Sequence, residues 1–220
     1  MNNPRLAVAV AVSIVTTCAI CLPTSFVSSR AAAHQDSLSV YCDYKPDDPV
    51  FKAGKQAKYH PTHSPVVDVF VILLPVVNVP KSNTGIMLLK DDRITIRACG
   101  CVQTGGKNKT WKRYVNPSGP NSDKLYHGVI AMDNFIIVPP PTGNAQCCAS
   151  SPTIPGTLRI SDMIAAQNRG FQFRIREQTE LVLGYEDDEY TDNGYWGHDD
   201  GTEDQCLGVG GAALEITINH

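Results

Sequence analysis

The stretch Arg93-Ile94-Thr95-Ile96-Arg97-Ala98 alternates: isoleucine falls on one side of an extended chain, charged and hydroxyl groups on the other. Successive side chains of a strand point to opposite faces, so this is a strand with one buried and one wet face. Outward from it, short alternating or β-branched runs recur at 37–42, 66–74, 86–89, 93–101, 127–132, 135–138, 157–161, 171–175, 181–185 and 212–218. Each is bounded by Gly, Pro, Asn or Asp, which end strands in turns. Residues 161–170 carry a helical signal of a turn or two, no more. Short strands without intervening helices predict an all-β chain, a β-sandwich rather than an α/β fold.

At 220 residues, 42% hydrophobic and 19% charged, the chain can bury one ordinary core, which excludes disordered, collagenous and multi-span membrane classes. Its one long apolar run, 6–27, follows Arg5, contains Pro23 and precedes Ala31-Ala32-Ala33. That order is the grammar of a secretory signal peptide, so 1–33 are expected to be cleaved and the product secreted, with no stable membrane insertion afterwards. A retained anchor is the competing reading of so long a run. Residues 34–75 read as an N-terminal extension contributing strands, and 76–220 as the main domain.

With the leader removed, 17 basic and 22 acidic residues remain, unevenly distributed. From 177 to 220 there are 12 Asp or Glu and no Lys or Arg. The acidic end must answer to cations, either a bound metal or the basic part of the same fold. The overall negative sign argues against a nucleic-acid partner, whose phosphates demand a basic surface.

Six cysteines follow the leader: Cys42, Cys99, Cys101, Cys147, Cys148 and Cys206. An even number in an exported chain reads as disulfides. In a strand Cys99 and Cys101 face the same way, and adjacent cysteines such as Cys147-Cys148 rarely bond to each other, because one peptide holds their Cα atoms closer than a bridge usually spans. Cross-pairing of these two pairs is the resulting expectation, with the full connectivity open. Zinc is the alternative, but no C-x-x-C pair remains once the leader is removed, and His60-Pro61-Thr62-His63 does not replace it, since Pro61 and Pro65 predict a loop.

Three long loops, at 103–124, 138–155 and 186–211, separate the strands, and loops of that length in a compact domain are functional or pinned by disulfides or ions. The last is the most informative. It places nine carboxylates between 186 and 204, among them Asp187, Asp188 and Asp192, beside Thr191, Asn193 and turn-forming Gly194. Hard divalent cations, calcium above all, take carboxylate, amide and carbonyl oxygens from such a loop. The spacing is not that of an EF-hand, because Asp188, Asp192 and Gly194 stand in the wrong register. The competing reading is a solvated acidic loop balanced by Lys107, Lys109, Lys112 and Arg113. Tyr185, Tyr190, Tyr195, Trp196 and His198 are interleaved with the acids, a mixture of flat apolar faces and polar groups that suits a sugar ring; aromatic anchoring of the loop is the plainer alternative. Asn108-Lys109-Thr110 is a glycosylation sequon in an exposed loop, whereas Asn116-Pro117-Ser118 is blocked by its proline.

Val79-Pro80-Lys81-Ser82-Asn83-Thr84-Gly85, the run from Asp91 to Ala98, Gly100, Gly105-Gly106 and Trp111 together resemble the opening of the calcium-dependent galactophilic bacterial lectins, the PA-I galactophilic lectin family. Tyr185, Asp187, Thr191, Asp192-Asn193-Gly194 and the strand Leu214-Glu215-Ile216-Thr217-Ile218 are similar to its ending. The resemblance spans roughly 76–219 in scattered pieces. It implies a jelly-roll-like β-sandwich with one calcium, in which the ion binds two galactose hydroxyls. It also implies a ligand set of a carbonyl near the first Gly-rich loop, Asp187, the Thr191 carbonyl, Asp192 and Asn193. The family's sugar-contacting His and Gln fall at Lys124 and His127, where neither residue type is kept, and this puts galactose itself in doubt.

Three functions follow. The first is a secreted, non-enzymatic carbohydrate-binding protein with calcium at 187–193 and a glycan, galactose-containing on the family pattern, over Tyr190, Trp196, Lys124 and His127; an oligomer is compatible with it. The second is a hydrolase using paired carboxylates from Glu186, Asp187, Asp188 and Glu189 with His127 or His198 as base, although no G-x-S-x-G nucleophile motif accompanies them. The third is a calcium-clasped toxin or adhesion module whose interface is the loop carrying Lys107, Lys109, Trp111, Lys112 and Arg113.

Overall fold

The computed structural model describes Cys42, Pro49, Cys206 and residues 55–105, 110–115, 127–131, 133–141, 146–195 and 209–220. The expected signal peptide, residues 37–41 of the strand expected at 37–42, Asn108, Lys124, Trp196 and His198 lie outside these residues, and Cys42 at the end of that expected strand is helical instead.

Twelve strands are present among the described residues: β1 (Ala57–His63), β2 (Val67–Leu73), β3 (Lys81–Leu88), β4 (Arg93–Cys99), β5 (Cys101–Gln103), β6 (Trp111–Arg113), β7 (Gly128–Ala131), β8 (Phe135–Val138), β9 (Thr157–Arg159), β10 (Gln172–Ile175), β11 (Thr179–Tyr185) and β12 (Ala213–Asn219). They form a six-stranded sheet ordered β1-β2-β12-β4-β10-β8, a four-stranded sheet ordered β3-β11-β7-β9, and the small pair β5-β6. Every paired strand is antiparallel to its neighbour. The alternation in β4 is used as the sequence predicts. Ile94 and Ile96 are buried, and join Ile72, Leu214, Ile216 and Phe173 of the same sheet and Leu88, Leu181, Leu183, Ile130 and Leu158 of the other in one core. The all-β sandwich is therefore the fold, with its core between the two larger sheets.

The α-helix α1 (Ile160–Asn168) is longer than the turn or two expected and replaces the predicted end of the strand at 157–161. Its Ile160, Met163 and Ala166 are buried. The Gln167 amide accepts from the Ile96 N–H at 2.8 Å and donates to the Ile96 carbonyl at 2.9 Å, just past the point where β10 stops pairing with β4. A side chain thus satisfies backbone groups that the sheet leaves over.

The cysteine expectation needs correction. Cys42 bonds to Cys99, Cys101 to Cys206, and Cys147 to its neighbour Cys148. The premise of a continuous strand across Cys99 and Cys101 fails at Gly100, whose φ of +89° ends β4 and starts β5 in another sheet. A Cβ there would stand 2.1 Å from the Gly211 carbonyl oxygen, so only glycine permits this close crossing. The turn sends the two sulfurs to different partners and leaves Cys147 and Cys148 with each other. The segment holding His60 and Pro61 is also not a loop: it is the edge strand β1, paired with β2.

Candidate functional site

β11 carries the chain to the site. Tyr185 ends the strand fully buried, its ring stacked on that of Tyr114 at 5.9 Å. Glu186 follows with no exposed surface, and its backbone N–H donates to the His127 carbonyl at 2.8 Å. A carboxylate so placed must be compensated. The His127 Nδ1 lies 3.0 Å from Oε2, the Ser151 hydroxyl donates to Oε1, and Arg159 grips both oxygens, Nε to Oε1 at 3.1 Å and Nη2 to Oε2 at 3.1 Å. Burial pushes the Glu186 carboxyl up, but these hydrogen bonds and the Arg159 charge outweigh it and hold the group below its usual range.

Asp187 has the opposite surroundings. It is 6% exposed, its Oδ1 accepts the Asp188 N–H at 2.8 Å, and its Oδ2 is buried without a hydrogen-bond donor. Burial pushes its carboxyl up to about 7, against hydrogen bonds from the Asp188 backbone, the Asn193 side chain and the Glu189 backbone. Glu189 then caps a 3-10 turn (Tyr190–Asp192), accepting the Thr191 N–H at 3.0 Å and the Thr191 hydroxyl at 2.6 Å. Asn193 donates its amide N–H to the Val77 carbonyl at 2.7 Å, which orients the side chain and leaves Oδ1 buried without a donor.

The loop is pinned on several sides. Gly194 exchanges two hydrogen bonds with Gln103, at 2.9 and 3.1 Å, bringing it against the start of the first Gly-rich loop. The disulfide from Cys101 to Cys206 ties its far side to β5. Tyr190 accepts the Asp187 N–H on its phenol oxygen at 3.2 Å, and the Tyr195 hydroxyl donates to the Leu74 and Pro75 carbonyls. A cleft of about 230 Å3, lined by Gln56, Leu74, Val76, Asn193, Gly194 and Tyr195 among others, opens beside Asn193.

The structure thus brings Asp187, Thr191, Asp192 and Asn193 onto one anchored turn, with Asp188 exposed beside them. Tyr190 lies partly exposed at the same turn. His127 is 3% exposed and faces Glu186, so whatever it contributes passes through that carboxylate. Trp111, offered by the sequence as part of an interaction surface, has no exposed side chain; it packs with Leu74, Cys101 and Cys206, and Lys112 beside it is buried too. Sequence reasoning missed Ser151 and Arg159, which stand 35 and 27 residues from Glu186 and carry no local motif. Among the described residues, no helix is long and apolar enough to cross a membrane.

Comparison with family models, with curated proteins and with solved structures finds no match.

Proposed function

We propose that this chain is a secreted, calcium-dependent carbohydrate-binding protein, similar in mode to the galactophilic lectins. The reading rests on one observation: Asp187 Oδ2 and Asn193 Oδ1 are both buried without a hydrogen-bond donor, on neighbouring turns of one pinned loop. Buried polar atoms in folded proteins are otherwise satisfied, and an ordered water or a bound ion answers many of those that no protein group reaches. Proton uptake by Asp187 would answer its own oxygen, but an amide oxygen such as that of Asn193 calls for a donor or a cation. The donor set is oxygen only, which suits calcium. Asp187, Asp192 and Asn193 would hold the ion with the Thr191 carbonyl, and Asp188 adds negative charge at the rim. Bound there, calcium supplies open coordination positions for vicinal sugar hydroxyls. The cleft beside Asn193 and the Tyr190 ring give the remainder of the glycan polar and apolar surface.

The paired-carboxylate hydrolase has less to draw on. Glu186 is consumed by Arg159, Ser151 and His127, and Glu189 by its cap. Calorimetry of calcium into the full chain, followed by galactose and other monosaccharides, tests the proposal. Sugar heats that appear only with calcium and vanish with EDTA are expected. Sugar binding indifferent to EDTA, or turnover of aryl glycosides, would overturn it.

A further inference from the structure

A second cluster of metal-binding side chains sits at the other end of the sandwich. Tyr195 reaches the Leu74 carbonyl just past the end of β2, whereas Asp68 lies near the start of that strand. Six residues at about 3.3 Å each put the two places roughly 20 Å apart.

Around Asp68, His63 Nδ1 is 2.6 Å from Oδ1, His60 Nε2 is 3.3 Å from the same oxygen, and His220 Nε2 is 3.4 Å from Oδ2. His60 and His63 are three positions apart, which in a regular strand would place them on opposite faces. The register explains why they meet. Tyr59 pairs with Val71 and Thr62 with Val69, so β1 spends three residues where β2 spends two. This bulge inverts the parity of the strand and returns His63 to the face of His60. The rings are held from behind. His60 stacks on Phe70, centroids 4.1 Å apart and planes 16° from parallel, and His220 places its Nδ1 2.9 Å from Asp92 Oδ1 while its Nε2 faces Asp68.

We propose that His60 Nε2, His63 Nδ1 and an Asp68 carboxylate oxygen bind a zinc-class transition-metal ion, with His220 and Phe70 as positioning residues. The three ligand atoms lie within 4.8 Å of one another. Two donors about 2.1 Å from a tetrahedral ion stand about 3.4 Å apart, close to the His60–Asp68 separation already present. Closure around an ion needs a small opening of the His63–Asp68 contact and an approach of the two imidazole nitrogens, which stand no more than 4.8 Å apart. His63 makes that movement easily, its side chain being 74% exposed. Two imidazoles with one carboxylate favour zinc, nickel or copper over calcium and magnesium, which take oxygen. The His220 contact to the second Asp68 oxygen, itself backed by Asp92, is the outer support that orients a ligating carboxylate. Water completes the shell, because the cluster opens to solvent on the His60 and His63 side. The ion would tie the edge strand β1 to β2, where an unpaired edge otherwise depends on one ladder of hydrogen bonds.

The test is titration of Zn2+ into the full chain without added histidine tags, by calorimetry and by thermal unfolding, with Ca2+ and Mg2+ as controls. One equivalent of Zn2+ is expected to bind and raise the unfolding temperature, and Ca2+ and Mg2+ are not expected to compete for it. His63→Ala and Asp68→Asn should each weaken Zn2+ at least about tenfold, and His220→Gln should do so by about tenfold through the lost support. His63 is 74% exposed, so His63→Ala is expected to keep the fold, and its result stands if Asp68→Asn unfolds. Calcium binding at the acidic loop should be unchanged in His63→Ala, which separates this site from the one above. No Zn2+ binding at neutral pH, equal affinity in wild type and His63→Ala, or Zn2+ binding lost in Asp187→Ala but kept in His63→Ala would overturn the assignment.

Discussion

Glu186 and Asp187 are adjacent carboxylates with opposite environments, and each predicts a different response to substitution. Glu186 is saturated by Arg159, His127 and Ser151. Arg159→Ala should therefore cost about 3 kcal/mol in denaturant unfolding, the scale for stranding one member of a buried ion pair. A loss below about 1 kcal/mol would show that the network is not what holds the start of the loop. Asp187 is buried with one oxygen unanswered. Asp187→Asn should accordingly leave unfolding without calcium unchanged or more favourable to the folded state, while removing the rise in melting temperature that calcium causes. Asn193→Ala should also remove that rise, losing only about 1 kcal/mol of its own for the hydrogen bond to Val77. A calcium-linked rise persisting in both variants would exclude them as ligands. Asp187, Thr191, Asp192 and Asn193 were legible in the sequence because they lie within seven residues of one another. Ser151 and Arg159 were not, because only folding brings distant strands to one carboxylate.

Among the elements, the strands show where alternation suffices and where it does not. The runs at 93–99 and 212–218 are visible through their alternation, and both form central strands of the large sheet, although β12 buries Ala213 and Glu215 on its second face as well. The break at Gly100 is invisible to periodicity, because apolar residues continue on both sides of it while the backbone turns through a left-handed conformation. β1 was hidden by Pro61, which an edge strand tolerates and a central one does not. These two misreadings account for the cysteine pairing and for setting His60 and His63 aside. The break also creates the anchor of the acidic loop, since Cys101 on β5 reaches Cys206. The double substitution Cys101→Ser with Cys206→Ser should lower stability by about 4 kcal/mol, as expected for a bridge closing a segment of 105 residues. It should also weaken calcium, because the loop then loses one of its anchors and the ion has to order more of it. Unaltered calcium affinity in this variant would mean that the Gln103–Gly194 pairing is sufficient to shape the turn.

For the whole molecule, two sheets enclose one core and leave their ends for chemistry. The core is set by residues such as Ile96, whose side chain is fully buried in the cluster between the two larger sheets. Ile96→Ala should cost about 2–5 kcal/mol, and a smaller loss would indicate that the sheets are not closely packed there. At one end β11 and β5 hold the acidic turn, and at the other β1, β2 and β12 gather His60, His63, Asp68 and His220. Most strand positions and the all-β sandwich class could be read from alternation, whereas strand order, and which loop meets which strand end, depend on turns and bulges that alternation does not encode. The most direct measurement is a crystal structure of the chain grown with calcium and a galactoside. The account predicts one ion with oxygen ligands at about 2.3–2.6 Å from Asp187, Asp192, Asn193 and the Thr191 carbonyl, with two sugar hydroxyls completing its shell. A turn that stays without an ion at millimolar calcium, its carboxylates directed to water and the sugar bound elsewhere or not at all, would contradict it.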